Sequence, residues 1–175
     1  MIQRSNLRVK KLIRQYGGWI MPYRELSREA QLAMAHYMAI AGEAWKPSPD
    51  FDRWNAIHFP YDATKASHQK HFQADRPYYV QRYGNRRFGF VVIPMVDLGK
   101  SIEKDQDCKD ECLDFDHYHH WYVDTLHNPL PRHKKTNLWP IILSDFAFET
   151  LQDGWHRLHA YYRRGIKQVP CLFYA

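Results

Sequence analysis

The segment LQDGWHRLHAYYRRGIKQVPCLFY, late in the chain, places an acid, a glycine, a histidine and an arginine close together. If a helix begins near Trp155 or His156, its first backbone N–H groups point back at Gly154, and the aligned peptide dipoles favour an anion there. Glycine permits close backbone approach, and Arg157 can bind phosphate through two hydrogen bonds. These residues predict a phosphate-binding turn; the alternative is that Asp153 caps the helix and pairs with Arg157.

Further residues around this turn are candidates for cation binding, base stacking and contact with a DNA backbone. Glu149 and Asp153 lie four residues apart, and either carboxylate can hold a divalent cation such as Mg²⁺ or position a water molecule. Trp155 offers a ring that either stacks on a nucleobase or anchors the core. Three cations beyond the turn either extend a basic path for a DNA backbone or are plain solvated charges. They are Arg163, Arg164 and Lys167.

A second group of chemically active residues lies in the segment CKDECLDFDHYHH. Cys108 and Cys112 are zinc-ligand types at a suitable spacing, and Asp114 and Asp116 offer oxygen atoms to a hard cation. Three histidines complete the group: His117, His119 and His120. Because no second closely spaced cysteine pair is present, we interpret the segment as a solvated loop rather than a structural zinc site.

Three common catalytic motifs are missing from the sequence. The chain contains no Walker phosphate loop, no G-x-G-x-x-G turn and no G-x-S-x-G nucleophile turn. A Walker-type ATPase, a Rossmann dehydrogenase and an α/β-hydrolase are therefore poor candidates.

Size and charge narrow the class of protein. A chain of 175 residues, with 45% hydrophobic and 25% charged residues, fits one globular domain with a sizeable core. The net charge of +6 favours an anionic partner, such as nucleic acid, a nucleotide or acidic lipid headgroups. The odd number of cysteines indicates reduced thiols, and neither a long apolar run nor a signal peptide is evident. We therefore expect an intracellular protein.

Hydrophobic periodicity predicts the elements that position these residues. RRFGFVVIPM, HYHHWYVDTL and LWPIILS are predicted strands, and the final segment is predicted as strand, helix and strand again. Residues 4–14 are predicted to form a basic amphipathic helix, which either contacts DNA or a membrane surface or packs its apolar side on the core. Ser27 caps a helix whose apolar stripe faces the core. The stripe consists of Ala30, Ala33, Met34, Tyr37, Met38 and Ala41.

We predict a single α+β domain over residues 1–175, mainly helical over 1–87 and strand-rich over 88–175.

The last part of the chain resembles the ParB/sulfiredoxin superfamily. LWPIILSDF is similar to the strand that this family places before its phosphate turn, and the signature elements follow in order. They are a strand at Leu151-Gln152, a glycine turn at Asp153-Gly154, the pair His156-Arg157, a small residue at Ala160, a break at Gly165 and a strand from Val169-Pro170. The resemblance implies a ParB/sulfiredoxin-like mixed sheet with helices, and a phosphate pocket at the glycine turn.

Two branches of that superfamily fit the chain poorly. Sulfiredoxins carry a catalytic cysteine directly before the histidine-arginine pair, where this chain has Trp155, and Cys171 in the following strand does not replace it. Chromosome-partitioning ParB proteins carry a helix-turn-helix domain after this one, whereas the sequence ends at Ala175. We therefore expect neither sulfinic-acid reduction nor centromere binding.

A third branch fits better. YGGWIMPYRELSREAQLAMAHYM and RPYYVQRYGNRRFGFVVIP are similar to segments of plasmid-encoded fertility-inhibition proteins of the oncogenic-suppression type, which block DNA transfer by type IV secretion machinery. This resemblance implies ATP hydrolysis and DNase activity with a divalent cation, expected to be Mg²⁺. It also implies a bacterial cytoplasmic location, with peripheral contact to the inner membrane, and a coupling protein of the secretion system as partner.

The resemblance also assigns roles to residues. Catalysis falls to Glu149, Asp153, His156 and Arg157, and phosphate binding to Gly154, Trp155, His156 and Arg157. The alternative function is a non-catalytic nucleotide-binding module that inhibits transfer by docking on the coupling protein.

Overall fold

The computed structural model describes residues 10–31, 33–34, 77, 79–81, 83–104, 112–125, 139–143 and 151–174. Its strands are β1 (Gly18–Pro22), β2 (Arg87–Pro94), β3 (Ile141–Leu143), β4 (Leu151–Asp153) and β5 (Gln168–Tyr174). Its labelled helices are α1 (10–16), α2 (28–31 and 33–34), α3 (Met95–Ile102), α4 (Phe115–His120) and α5 (Trp155–Arg163), and residues 77, 79–81 and 83 are also helical. A 3₁₀ turn covers Tyr23–Glu25, and a π-helical turn, Trp121–Thr125, continues α4.

The five strands form one mixed sheet in the order β1-β2-β5-β3-β4. β2 pairs antiparallel with both β1 and β5, whereas β3 pairs parallel with β5 and antiparallel with β4. β1 thereby joins the early part of the chain to the same sheet as the later strands. Helices together with this mixed sheet place the described part of the chain in the general α+β class.

Side chains of the central strands alternate between two apolar clusters. In β2, Val91 belongs to one cluster and Phe88 to the other, and in β3 Ile141 and Ile142 are divided in the same way. This division follows from the two-residue period of a strand. Apolar clusters therefore lie on both faces of the sheet, and β3 and residues 169–173 of β5 are buried.

Helices complete each cluster. Leu98 of α3, Phe115 of α4 and Leu158 of α5 pack in the cluster with Val91, called here the first cluster. Ala30 of α2 packs in the second cluster, with Tyr23, Tyr79 and Tyr83. The helix that carries the predicted phosphate turn thus lies on the first-cluster face of the sheet.

The predicted helix after Ser27 is confirmed where it lies within the described residues. The Oγ atom of Ser27 accepts the backbone N–H of Ala30 at 3.2 Å, which is the expected capping bond. Ala30, Ala33 and Met34 are buried, as the apolar stripe predicts. The rest of the stripe lies outside the described residues: Tyr37, Met38 and Ala41.

For the basic N-terminal helix, the structure favours the packing alternative over the described residues. Leu12, Ile13 and Tyr16 of α1 pack against the first cluster. The cations on the other side are exposed: Lys10, Lys11 and Arg14. Residues 4–9 lie outside the described ranges.

The strand predicted for HYHHWYVDTL is wrong, because residues 117–125 of this segment are helical in α4 and the π-helical turn. Asp114 caps α4 by accepting the backbone N–H of His117 at 2.8 Å. Phe115, Tyr118 and Tyr122 then bury one side, at the three- and four-residue spacings of a helix. By contrast, the strands predicted around RRFGFVVIPM and LWPIILS and the final strand-helix-strand order are confirmed.

Among the residues that the structure describes, no helix has both the length and the apolar character needed to cross a bilayer.

Candidate phosphate-binding turn

The predicted phosphate turn connects β4 to α5. The backbone of Asp153 pairs with Ile142 of β3, and Gly154 follows with φ 104° and ψ 20°, in the left-handed region. The N–H of Leu158 donates to the carbonyl oxygen of Gly154 at 2.8 Å and closes the first helical turn. The N-cap residue of α5 is therefore Gly154, which has no side chain, rather than Asp153.

Gly154 fits a crowded position that no other residue fills without strain. A Cβ atom built there would lie 3.0 Å from Cγ2 of Ile141 and 3.1 Å from Nη2 of Arg157. The left-handed backbone adds a cost for any L-residue with a side chain. The space above this glycine is consequently occupied by the guanidinium of Arg157.

Arg157 is half-buried, and its side chain reaches the start of β3. Its Nη1 atom donates to the carbonyl oxygen of Pro140 at 2.6 Å. Its Nε atom would lie 3.2 Å from a Cβ at Gly154, so the guanidinium lies directly beside the turn. One of the five N–H bonds of the guanidinium thus holds α5 on β3, and the positive charge stays at the helix N-terminus.

His156 and Trp155 occupy the first turn of α5 differently. His156 is exposed, and its Nδ1 atom lies 3.3 Å from the hydroxyl oxygen of the buried Tyr122. Trp155 is half-buried against the first cluster and meets the ring of Tyr118 edge to face, with centroids 5.9 Å apart. These contacts favour the core-anchor alternative for Trp155.

The three cations predicted to follow a DNA backbone lie at the far end of α5. Arg163, Arg164 and Lys167 are all exposed. The nine residues of α5 place this end about 13 Å from the glycine turn. The helix stops there because Gly165, at φ 65°, lets Ile166 donate its N–H to Tyr161 at 3.0 Å.

The structure does not bring every predicted site residue together. Gly154 and Arg157 are in contact, and His156 stands in the same turn. Glu149 lies outside the described residues, and only the backbone of Asp153 is described. The carboxylate roles predicted for these two residues therefore remain predictions.

Sequence analysis missed the most unusual polar contact in the described part of the chain. His119 of α4 and His159 of α5 are buried, and their Nδ1 atoms lie 3.0 Å apart. The ring of Tyr122 lies parallel to His159, with centroids 4.0 Å apart. The Nε2 atom of His159 is buried without a hydrogen-bond partner. A sequence signal existed, because His159 lies on the same helical stripe as Trp155, four residues earlier.

Burial controls the protonation of this histidine pair. Desolvation lowers the pKa of His159 to about 3, and the nearby His119 and His156 act in the same direction. The pKa of His119 is also lowered, chiefly by burial and then by His120. Both rings are therefore neutral near pH 7, with the hydrogen of one Nδ1 atom directed at the other.

The residues considered as zinc ligands make separate contacts. Cys108 lies outside the described residues, and His119 faces His159. His117 accepts the backbone N–H of Leu113 at 3.4 Å, through its Nδ1 atom. Within the described ranges, no three His, Cys, Asp or Glu residues are grouped so that they could hold a metal ion.

Comparisons of the chain with protein-family models, with curated proteins and with solved structures found no match.

Proposed function

We propose that this protein binds a nucleotide phosphate at the turn formed by Gly154, His156 and Arg157, and that it hydrolyses ATP and cuts DNA. Its cellular role would be to inhibit conjugative DNA transfer through a type IV secretion system, as the resemblance to plasmid fertility-inhibition proteins implies. The ParB/sulfiredoxin-like fold is part of the same proposal. The observed strand, glycine turn, helix and strand occur in the order that this fold requires.

One observation carries the proposal: an arginine guanidinium lies on a left-handed glycine at a helix N-terminus. The start of α5 suits a phosphate oxygen, because backbone N–H groups at a helix start point toward bound anions. Arg157 supplies the positive charge, and the exposed His156 can donate a further hydrogen bond. The charge and donor types of the turn therefore match a phosphoryl group.

The chemistry of the carboxylates fits the implied cation. Mg²⁺ prefers oxygen ligands, and Glu149 and Asp153 are the residues that would hold it beside the turn. Bound there, it would neutralise phosphate charge. The contribution of the chain is to fix Arg157 through Pro140, so that the guanidinium is already oriented when the ligand arrives.

One contact favours the second candidate, a non-catalytic nucleotide-binding module. Because Arg157 also donates to Pro140 at 2.6 Å, a ligand that draws the guanidinium away would loosen α5 from β3. Such a change could signal nucleotide binding to a docked coupling protein without hydrolysis. In that case an inactive protein would still inhibit transfer.

Replacing Arg157 distinguishes the hydrolase from the non-catalytic nucleotide-binding module. We expect Arg157→Ala to lower ATP hydrolysis and plasmid cutting in Mg²⁺ by roughly a hundredfold, since removing a transition-state donor commonly costs that much. Transfer inhibition in donor cells should disappear in parallel. The matched control is Arg24→Ala. Arg24 is exposed, and its hydrogen bonds with Gly84 and Gln31 involve only its backbone, so the substitution leaves them in place.

Thermal unfolding of each variant distinguishes a loss of chemistry from a loss of folding, because Arg157 also bonds to Pro140. His156→Ala, at an exposed position, gives a second test that leaves this bond intact. Unchanged turnover in both variants would refute the site. Full transfer inhibition by a folded variant without turnover would support the non-catalytic module instead.

A further inference from the structure

A buried tyrosine from a different helix reaches the phosphate turn. Tyr122 lies in the π-helical turn that continues α4, and its hydroxyl oxygen is 3.3 Å from the Nδ1 atom of His156 in α5. The planes of the two rings are inclined by 79°, and their centroids are 5.7 Å apart. The two residues are 34 positions apart in the sequence, so the contact exists only because α4 and α5 pack together.

Packing fixes the ring of Tyr122. Only 8% of this residue is exposed, and its ring is stacked on the buried His159, with centroids 4.0 Å apart and planes inclined by 14°. The ring of Tyr118, one helical turn earlier, lies 6.2 Å away. His156, by contrast, is exposed, and exposed side chains ordinarily exchange between rotamers within nanoseconds. The Tyr122 hydroxyl is therefore a fixed point against which a surface histidine can be oriented.

The contact also determines which nitrogen of a neutral His156 ring carries the hydrogen. A neutral imidazole has one N–H group, and its other nitrogen is an acceptor. Burial raises the pKa of Tyr122, so its hydroxyl stays protonated near pH 7. The imidazole nitrogen is a stronger base than a phenol oxygen, so the phenol is the donor in this pair. The hydrogen of His156 then lies on Nε2 and points away from Tyr122.

We propose that Tyr122 is a positioning residue for the phosphate turn: its hydroxyl holds the His156 ring and keeps the hydrogen on Nε2, so that His156 donates to a phosphate oxygen. This inference rests on the proposed phosphate binding and adds to it a residue from a distant segment of the chain. The opposite tautomer would direct the lone pair of Nε2 at the phosphate, and two acceptors repel each other. Arg157 supplies the positive charge in either case.

The first measurement records two-bond proton–nitrogen correlation spectra of the full chain, with isotope-labelled histidine and without ligand. The pH is about 8, where histidine is ordinarily neutral. The signals of His156 are identified by their loss in His156→Gln. We expect the hydrogen on Nε2 in the unchanged protein, together with a hydrogen-bonded Nδ1 resonance. Tyr122→Phe keeps the stacked ring and removes only the hydroxyl, so the Nδ1 resonance should move to the position of a nitrogen that accepts no hydrogen bond.

The second measurement is the affinity for ATP without Mg²⁺, so that no turnover interferes. Tyr122→Phe should weaken ATP binding roughly 2- to 10-fold, the net contribution of one hydrogen bond. Tyr162→Phe is the matched control. It removes another tyrosine hydroxyl between the same two helices, one that donates to Asp116 at 2.6 Å, and it should bind ATP like the unchanged protein.

A double-mutant cycle tests whether Tyr122 acts through His156. In His156→Gln the side-chain amide nitrogen takes the place of Nε2, and it donates whether or not a hydroxyl is nearby. Tyr122→Phe should therefore cost no further ATP affinity in the His156→Gln background. An equal loss in both backgrounds would show that the hydroxyl acts through packing, which would overturn the inference. A His156 spectrum that Tyr122→Phe leaves unchanged would overturn it as well.

The same measurements separate this inference from the proposed function. If ATP binding requires Arg157 but not the Tyr122 hydroxyl, the phosphate site stands and the positioning role fails. If the unchanged protein binds no ATP, the proposed phosphate site fails. In that case a His156 spectrum that changes in Tyr122→Phe confirms the positioning contact, and an unchanged spectrum overturns it.

Discussion

The buried pair of His119 and His159 shows how two histidines can couple two helices. Their Nδ1 atoms are 3.0 Å apart, so one ring must donate and the other accept. Adding a proton to the acceptor would place two N–H groups face to face in a site shielded from water. Several ionisable groups influence this site from the packed elements: Asp116, His120, Tyr122, Asp124, His156 and Arg163. The pair is therefore stable in its neutral form and sensitive to acid.

We predict that the free energy of unfolding falls as the pH is lowered from 7 to 5. The folded pKa of His159, about 3, is below the usual value of 6.5, so the unfolded chain binds more protons between these values. Stability is complete above about pH 6.5 and declines by up to about 1.4 kcal/mol per pH unit for one such group. Urea unfolding followed at several pH values measures this slope.

The His159→Phe variant identifies the source of that slope. Phenylalanine keeps a flat ring beside Tyr122 but cannot be protonated, so the pH dependence should become shallower. His117→Gln is the matched control, because His117 is an exposed histidine of the same helix that does not contact the buried pair. Identical slopes in the unchanged protein and in His159→Phe would show that other groups cause the acid sensitivity.

At the scale of the element, α5 is delimited by two glycines that play different roles. Gly154 starts the helix at φ 104° and is crowded by Ile141 and Arg157, whereas Gly165 ends it at φ 65° with open space around its Cβ position. The first position is constrained by both backbone and packing. The second is constrained by the backbone alone.

This difference predicts unequal costs for two alanine substitutions. Gly165→Ala should lower the unfolding free energy by about 1–2 kcal/mol, the cost of a left-handed alanine. Gly154→Ala should cost more, because its methyl group also displaces the Arg157 guanidinium and disturbs the bond to Pro140. Chemical denaturation of both proteins measures the difference. Gly165→Asn, which tolerates this backbone conformation, should cost less than Gly165→Ala. Equal costs at the two glycines would contradict the packing explanation.

At the scale of the whole molecule, the net charge of +6 is expected to attract DNA, and the arrangement of cations decides where it binds. Arg163, Arg164 and Lys167 are exposed together at the C-terminal end of α5. If they follow a DNA backbone, each phosphate that they neutralise releases counterions.

We predict that the triple alanine variant of Arg163, Arg164 and Lys167 reduces the salt dependence of duplex DNA binding. The slope of log affinity against log salt should change by about 0.9 for each phosphate that the variant no longer neutralises. The matched control replaces three other exposed cations with alanine: Arg24, Lys100 and Lys104. Equal changes in the two triple variants would mean that net charge, rather than a local path along α5, governs binding.

Much of the local structure was predictable from the sequence alone. The run from Phe90 to Ile93 forms a strand because its side chains are branched or aromatic, and Pro94 ends it. Gly154 and Gly165 mark the ends of α5, since their left-handed conformations strongly favour glycine in any tertiary context. The phosphate turn could also be proposed from the sequence, because its residues are neighbours in the chain.

Only the tertiary structure decided the contacts between distant segments. Arg157 bonds to Pro140, His159 meets His119, and β1 joins the sheet by pairing with β2, although no local pattern identifies these partners. The helical state of α4 was not predicted either. Histidine is a polar residue type, and His119 is buried only because α5 packs against it. Local sequence determines backbone preference, whereas burial and pairing depend on which remote residues the folded chain brings together.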